Sequence, residues 1–455
     1  MPISPARKAA FDVLRRVEDG RAFAVDLLQR SEVSNLKEVD RRLATEMVMG
    51  VLRWRGELDF QIERLSGKPI RYFDVEIATI LRMGVYQIGF LKKVPKSAAV
   101  NEAAELAKSA RKKSAAGLVN AVLRKCEPGR RAQSFGKAVA PDLLEAARRS
   151  LPLWLLQRWE ARFGSDSANS LALASASAPR LTLRVGVGER ERFRKAFADE
   201  GIRSEFGRYS DSAIYVVSGN VRTSRPVLEG RAVIQDEASQ LVAQLLAPQP
   251  GERVLDLCAA PGIKTSQLAA TLGTGTIVAC DRSGARLRTM AKLMGHWFPS
   301  GVRLLLVRLD AAKDLPFAGQ FGRILVDAPC SGTGTLSRNP EIKCRLQECD
   351  LARLAKQQQE ILKNALKHLA PGGRLVYATC SLEPEENEQV VEAVLQQDPS
   401  CRLSTAREIS LEYPNLSSLL DSRGYLRTRP DLHSMDGFFA AVIVRLPNSN
   451  AELPA

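Results

Sequence analysis

Two cysteines and one aspartate are spaced so that they could act together on a substrate. Cys330 follows Asp327-Ala328-Pro329 and precedes Ser331-Gly332-Thr333-Gly334. Cys380 lies between Thr379 and Ser381, just past the apolar run Leu375-Val376-Tyr377. Each would stand beyond the end of a β-strand, where open parallel sheets bind their ligands. A lone strand-end cysteine is more often a small buried hydrophobe. Two of them converging with Asp327 on one cleft point to chemistry. A thiolate is a nucleophile, and covalent attack splits one hard step into easier ones. Carbon 5 of a cytosine is itself a poor nucleophile; a thiolate added at carbon 6 enriches carbon 5 enough for it to attack a methyl sulfonium. In that scheme Cys380 attacks. Asp327 contacts the ring nitrogen or amino group as charge builds. Cys330 assists when the carbon 5 proton leaves and the thiol is expelled. The scheme needs a lowered pKa at Cys380, and no histidine is evidently paired with it, so the source of activation is open. The base must also be splayed out of its stack.

A second constellation precedes these. The strand-like run Arg253-Val254-Leu255-Asp256-Leu257 leads into Cys258-Ala259-Ala260-Pro261-Gly262-Ile263-Lys264-Thr265. Small residues between a first strand and its helix let a ligand approach the backbone closely. The next strand is expected to end at Cys280-Asp281, and Asp281 can accept hydrogen bonds from ribose hydroxyls. Asp310 is expected to end the third strand and Asp327 the fourth. G-x-G-x-x-G is absent, which disfavours a dinucleotide, and a Walker loop fails because Ile263 precedes Lys264. An acidic pocket without a phosphate loop suits S-adenosylmethionine, with a ribose and a sulfonium cation; a generic nucleotide is the alternative. Asp256 has a structural alternative of its own, capping the turn that follows.

The eight cysteines, Cys126, Cys258, Cys280, Cys330, Cys344, Cys349, Cys380 and Cys401, contain no C-x-x-C pair, and there are three histidines. No metal site is expected, nor are disulfides in a cytoplasmic chain. Most of these cysteines are expected to be buried.

The elements that must position these residues follow from periodicity. From about 237 onward, apolar β-rich runs at 253–257, 276–280, 302–307, 323–326, 374–378 and 438–444 alternate mostly with helix-like segments. That pattern predicts an α/β, doubly wound, mostly parallel sheet. Before it, Leu181–Val185 and Ala213–Val217 read as strands with a helix around 189–200, a small α/β unit. Residues 1–128 read as all-α. Ala10, Val13, Leu14 and Val17 fall at helical spacing, as do Leu43, Met47, Val51, Trp54, Leu58, Ile62 and Leu65. The expected organisation is a helical domain over 1–128, a linker over 129–141, a small α/β extension over 142–234, a nucleotide-fold domain over 235–446 and a disordered tail over 447–455.

The 455 residues carry a net charge of +15, which favours a polyanionic partner; a merely basic soluble protein is the alternative. Residues 1–130 hold 25 Lys and Arg against 16 Asp and Glu, a net of +9, so the N-terminal part is the expected nucleic-acid grip. Basic clusters sit at Arg41-Arg42, Lys92-Lys93 and Arg111-Lys112-Lys113, each of which could be only a solvated face. No apolar run of membrane-spanning length and no signal-peptide core is present, so a cytoplasmic protein with no membrane contact is expected.

At these residues the chain resembles the RNA 5-cytosine methyltransferases of the Nop2/Sun group. The matching stretches are Gln235-Asp236-Glu237-Ala238-Ser239, Asp256 to Gly262, Asp327 to Gly334 and Arg338-Asn339-Pro340-Glu341. Tyr377-Ala378-Thr379-Cys380-Ser381, Pro384-Glu385-Glu386-Asn387 and Asp436-Gly437-Phe438-Phe439 match as well. They span about 235–442 in the family order. The resemblance implies that Cys258, Ala259, Ala260, Pro261, Gly262, Ile263 and Lys264 wrap S-adenosylmethionine. It implies that Asp281 holds the ribose, that Asp310 lies on the adenine side, and that Asp327 lies near the methionine end and the base. Cys380 would be the nucleophile and Cys330 the residue of product release. The family usually has Gly where Ile263 stands, and a β-branched residue resists φ > 0, so an altered turn is expected there.

Residues 1–128 resemble a NusB-like RNA-binding domain through Gly50-Val51-Leu52-Arg53, Gly84-Val85-Tyr86-Gln87-Ile88 and Gly117 to Arg124. Leu151-Pro152-Leu153-Trp154 and the unit after it resemble the family's RRM-like extension. Together these imply an enzyme acting on 16S ribosomal RNA; a monomer is expected. The alternatives are a catalytically silent RNA-binding or antitermination factor, a cytosine methyltransferase on another RNA, and an enzyme whose nucleophile is Cys330.

Overall fold

The computed structural model describes residues 3–20, 22–129 and 141–447. The linker expected at 129–141 and the tail expected at 447–455 fall almost entirely outside these residues. The chain forms two compact units, Met1–Ala178 with Thr335–Glu348, and Pro179–Gly334 with Cys349–Ala455.

The first unit is helical, as the periodicity predicts. Its early helices are Pro5–Glu18, Glu38–Arg53, Arg55–Ser66, Val75–Phe90, Lys96–Ser109 and Ala116–Lys125. The apolar stripe from Leu43 to Leu65 is shared by two helices, because Trp54 leaves helical geometry at φ −104° and ψ 15°. Met47, Val51, Leu58 and Ile62 are buried all the same. Val75–Phe90 is buried without interruption from Ile77 to Ile88, as befits a helix that is apolar nearly all round. It carries Arg82 inward, and the charge is tolerated because it is paired. Asp59 accepts from the guanidinium at 2.6 and 3.0 Å, and Glu18 at 3.2 Å. In the basic clusters Arg42 pairs with Glu38 and Lys112 with Asp74, while Lys92, Lys93, Arg111 and Lys113 are exposed. Three more helices, Pro141–Arg149, Leu153–Phe163 and Ser165–Ala176, belong to this unit.

So does Thr335–Glu348, which contains Arg338-Asn339-Pro340-Glu341. Arg53 donates to the Ser337 carbonyl at 2.9 Å. Arg345 donates to the carbonyls of Val17 and Ala22 at 2.6 and 2.8 Å. Glu341 accepts from the Ala24 N–H at 2.7 Å.

The second unit holds two sheets. Strands β1 (Leu181–Arg184), β2 (Arg203–Phe206), β3 (Ala213–Ser218) and β4 (Val233–Ile234) form an antiparallel sheet in the order β2-β3-β1-β4, with the helix Arg190–Asp199 between β1 and β2. The sequence signals β1, β3 and the helix. It does not signal β2, an edge strand with little burial, or β4, which has two residues.

The larger sheet contains β5 (Arg253–Leu257), β6 (Gly275–Asp281), β7 (Val302–Arg308), β8 (Phe321–Asp327), β9 (Leu369–Thr379), β10 (Cys401–Leu403), β11 (Leu426–Arg427) and β12 (Phe439–Arg445). Its order is β10-β12-β9-β8-β5-β6-β7, with β11 on β12. Strands β7, β6, β5, β8 and β9 run parallel, and β12 is antiparallel to β9 and β10. Successive side chains of a strand face opposite layers. On β5, Val254 packs with Leu268 and Leu272 of the helix Ile263–Leu272. Leu255 and Leu257 pack on the other face with Ile361 and Leu362 of the helix Glu348–Lys367. Both faces of β5 are therefore covered. The strand order reverses at β5, which places a ligand crevice at its carboxyl end. One expected boundary shifts: Asp310 lies two residues beyond the end of β7 at Arg308 and does not close that strand.

A buried carboxylate ties the small sheet to the helix Glu237–Gln244. Glu237 is fully buried and accepts from the N–H groups of Tyr209 and Ser210 at 2.6 and 2.8 Å and from the Tyr215 hydroxyl. Removing a buried acceptor leaves donors unsatisfied, at about 1–3 kcal/mol. Glu237→Ala is therefore expected to lower the melting temperature of this unit by about 5 °C. An unchanged melting curve would show that these bonds carry no net stability.

Candidate active site

Strands β8 and β9 are parallel neighbours with Asp327 in register with Ala378. The chain therefore leaves both strands side by side. The Sγ atoms of Cys330 and Cys380 lie 3.3 Å apart, and both residues are half-buried.

One side chain holds the two loops at this spacing. Glu386, from Pro384-Glu385-Glu386-Asn387, is fully buried. Its carboxylate accepts from the Ser331 N–H at 2.8 Å, the Ser331 hydroxyl, and the Ser381 hydroxyl at 2.5 Å. Ser331 follows Cys330, and Ser381 follows Cys380. Gln358 donates both to Glu386, at 3.0 Å, and to the Pro329 carbonyl, at 2.9 Å. Burial raises the pKa of Glu386 despite these donors. Around it, Asn387 donates to the Ser381 carbonyl at 2.9 Å, and the Gly334 N–H to the Cys380 carbonyl at 3.0 Å. Gly334 has no room for a side chain: a Cβ there would stand 2.0 Å from the Gly437 carbonyl oxygen.

Lys264 reaches the same place from the first turn of its helix. Its Nζ lies 2.8 Å from Asp327 Oδ2 and 5.0 Å from the centre of the Phe438 ring. Burial works against its charge, but Asp327 outweighs burial and the Lys264 pKa is raised. Cys380 also interacts electrostatically with this ammonium. The hydrogen bond to Cys380, with burial next, raises the Cys330 thiol well above its ordinary value. At this spacing either thiol can donate to the other.

The ligand turn lies at the carboxyl end of β5. Cys258 has φ 64° and Gly262 φ 100°; a Cβ at Gly262 would come within 2.8 Å of Met290. Ile263 is the first residue of its helix and needs no positive φ. The turn expected to be altered there is carried by its neighbours. Asp281 is buried, accepts from the Ser283 N–H at 2.8 Å and lies 3.2 Å from Arg286. Arg286 also donates to the Ala260 carbonyl. Asp310 accepts from the Ala312 N–H at 3.2 Å. Asp256 is buried, and its Oδ2 accepts from the Thr265 hydroxyl at 2.6 Å. Its Oδ1 is buried without a partner. Burial pushes its pKa up to about 7. An acid-lined turn fits a cationic, ribose-bearing ligand better than a phosphate-rich one.

The sequence expects Cys330, Cys380 and Asp327 together; the two thiols meet, Asp327 joins them through Lys264, and two things were left out. Lys264 was expected only in the ligand turn, whereas its ammonium is bonded to Asp327. Glu386 was one letter of a motif without a role. The signal that could have found it is an acid six residues past a strand-end cysteine, in a segment otherwise heading into the core. Among the other cysteines, Cys126, Cys280 and Cys401 are buried as expected, but Cys344 and Cys349 are exposed. Among the described residues no cluster could hold a metal ion, and no helix is long and apolar enough to cross a membrane.

Comparison with known proteins bears on the whole chain. Residues 243–444 match the family model for 16S rRNA methyltransferase RsmB/F, residues 4–128 that of the NusB family, and residues 151–222 that of the RsmF/B-like ferredoxin-like domain. The probable ribosomal RNA small subunit methyltransferase B of Bacillus subtilis is 32% identical over 443 residues, 96% of this chain and 98% of that one. The ribosomal RNA small subunit methyltransferase B of Pseudomonas putida is 33% identical over 452 residues, covering 97% and 99%. The crystal structure of PH0851 shares the fold with a TM-score of 0.81 at 24% identity, covering 97% of this chain and 99% of that one.

Two outcomes follow from the geometry. Glu386→Gln replaces one acceptor oxygen with a donor facing two hydroxyls. Methyl transfer is expected to fall about 100-fold, the scale set by misplacement of a reacting group by about 1 Å. Initial rates and melting curves measured together check this; an unchanged rate in a folded variant would free the thiols from the clamp. Asp256 titrates near 7 in the folded chain against about 4 unfolded. The folded state binds the proton more tightly, so wild-type stability falls as pH rises between these values, by up to about 4 kcal/mol. Asp256→Asn stays neutral. Its melting temperature relative to wild type is expected to rise from about pH 4 to about pH 7 and then level off. A constant difference would exclude titration of Asp256 in this window.

Proposed function

The chain belongs to the RsmB/F family of 16S rRNA methyltransferases, and on that premise we propose that it methylates carbon 5 of a cytosine in small-subunit ribosomal RNA through a transient bond from Cys380 Sγ to carbon 6. The observation that carries this reading is the 3.3 Å approach of two thiols next to the Lys264–Asp327 pair. We also read the chain as a helical RNA-binding domain over 1–128, an RRM-like extension over 142–234 and a catalytic domain over 235–446, acting in the cytoplasm.

S-adenosylmethionine, when bound, supplies an electrophilic methyl group on a sulfonium. The residues suited to hold it are the turn Cys258–Lys264, with Asp281 toward the ribose and Asp310 toward the adenine. The remaining chemistry belongs to this chain. Cys380, as thiolate beside the Lys264 ammonium, bonds to carbon 6, and the electron pair of the 5,6 double bond becomes available at carbon 5. Asp327 accepts from the exocyclic amino group and orients the ring, while Lys264 offsets the negative charge that builds there. After carbon 5 has been methylated its proton leaves to water. The carbon 5 electrons restore the double bond, and the carbon–sulfur bond breaks toward sulfur. Cys330, still protonated, donates to the departing Cys380 thiolate and eases its release. This division of labour is supported by the Lys264 ammonium, which interacts electrostatically with Cys380, and by the hydrogen bond and burial that raise the Cys330 thiol.

Cys380→Ser is expected to lose both methyl transfer to a 16S transcript and the covalent RNA adduct. Cys330→Ala is expected to accumulate the adduct, because the departing thiolate loses its donor. Denaturing gels of protein incubated with labelled RNA read both. An adduct that persists in Cys380→Ser would reverse the assignment of the nucleophile. Mapping 5-methylcytosine in ribosomal RNA with and without the protein checks the substrate.

A further inference from the structure

Arg184, at the end of β1, is a buried cation with no counter-charge among the described residues. It is 8% exposed. Its Nη2 donates to Ser266 Oγ at 2.8 Å, and its Nη1 is buried with no partner. Arg184 and Ser266 both line a cavity of about 840 Å³ in the second unit. That volume is within the range of roughly 300–1,000 Å³ typical of small-molecule sites.

The carboxylates on the cavity wall are already engaged. Glu189 pairs with Arg192 at 3.0 Å, Asp211 with Arg190 at 3.1 Å, and Glu412 with Arg374 at 2.6 Å. Arg231, another lining guanidinium, pairs with Glu229 at 2.6 Å. These charges cancel in pairs and leave Arg184 over. An unpaired buried charge is strongly unfavourable. Desolvation draws the Arg184 pKa down to about 10, which still leaves it charged at neutral pH. The wall near it presents hydroxyl and amide groups, among them Ser212, Gln267 and Thr271. The planar guanidinium of this cavity-lining arginine is matched in geometry by the oxygens of a phosphate group.

We infer that this cavity is a phosphate-binding site, separate from the thiol cleft, with Arg184 as its charged anchor. The phosphate belongs either to an RNA strand, as a phosphodiester, or to a free phosphate-bearing small molecule. In both cases it supplies the negative charge that the buried guanidinium lacks.

Equilibrium dialysis with labelled inorganic phosphate tests this on the full chain, with S-adenosylhomocysteine present to fill the cofactor site. Wild type is expected to bind one phosphate saturably. Arg184→Met should abolish that binding, and Arg184→Lys, which keeps the charge and loses the fork, should weaken it about tenfold or more. In chloride buffer Arg184→Met should melt above wild type, since removing an unpaired buried charge relieves the folded state. Displacement of the bound phosphate by a 16S transcript assigns the site to the phosphodiester backbone; displacement by a mononucleotide but not by the transcript assigns it to a small molecule. No saturable binding by wild type, or undiminished binding by Arg184→Met, overturns the inference. So does failure of both variants to fold, which would make Arg184 a structural group.

Discussion

A single buried carboxylate sets the distance on which the chemistry depends. Cys330 and Cys380 are fifty residues apart in sequence, and each sits on a loop just past a strand end. Glu386 accepts hydrogen bonds from the residue after each cysteine, so the two loops share one anchor. Hydrogen bonds to a group of this kind are strong when desolvated and costly when broken. The carboxylate was therefore worth burying, although burial disfavours its charge. Gln358 bonds to the same carboxylate and to the carbonyl before Cys330, and it stands on the long helix that packs under β8 and β9. The thiol spacing is thus referred to the core of the sheet.

The two thiols differ in electrostatic setting although they touch. Cys330 is raised by its neighbour and by burial, while Cys380 interacts with the ammonium of Lys264. Lys264 is in turn committed to Asp327. Four side chains from three strand ends thus form one interacting set, and division of roles between similar groups by their surroundings is a general device of active sites. The ligand turn feeds the same set, since Lys264 begins the helix that follows Gly262.

Much of this architecture was legible in the residues. The β-rich runs from 253 to 444 each became a strand of the larger sheet, because continuous apolar runs between turn residues have few other stable outcomes. Cys330, Cys380 and Asp327 were brought together by the rule that ligands gather at the carboxyl ends of parallel strands. Short and exposed elements escaped: β2 carries little buried surface and β4 two residues, too weak a pattern to read. Asp310 was placed at a strand end and lies past it. Ile263 was expected to strain the turn. It does not, because Cys258 and Gly262 take the positive φ values and Ile263 is already helical.

Side-chain types, their order and the alternation of strands with helices were enough to specify a doubly wound domain with two strand-end thiols and an acidic turn after its first strand, because these depend on local periodicity and on which atoms are present. The partner of Lys264, the shared anchoring of two loops by Glu386 and the solitary charge of Arg184 were decided only by the tertiary structure. Each depends on a distance between residues far apart in sequence, and on which other charges lie near enough to cancel. Neither quantity has a local signature, since both come into being only when the chain has closed on itself.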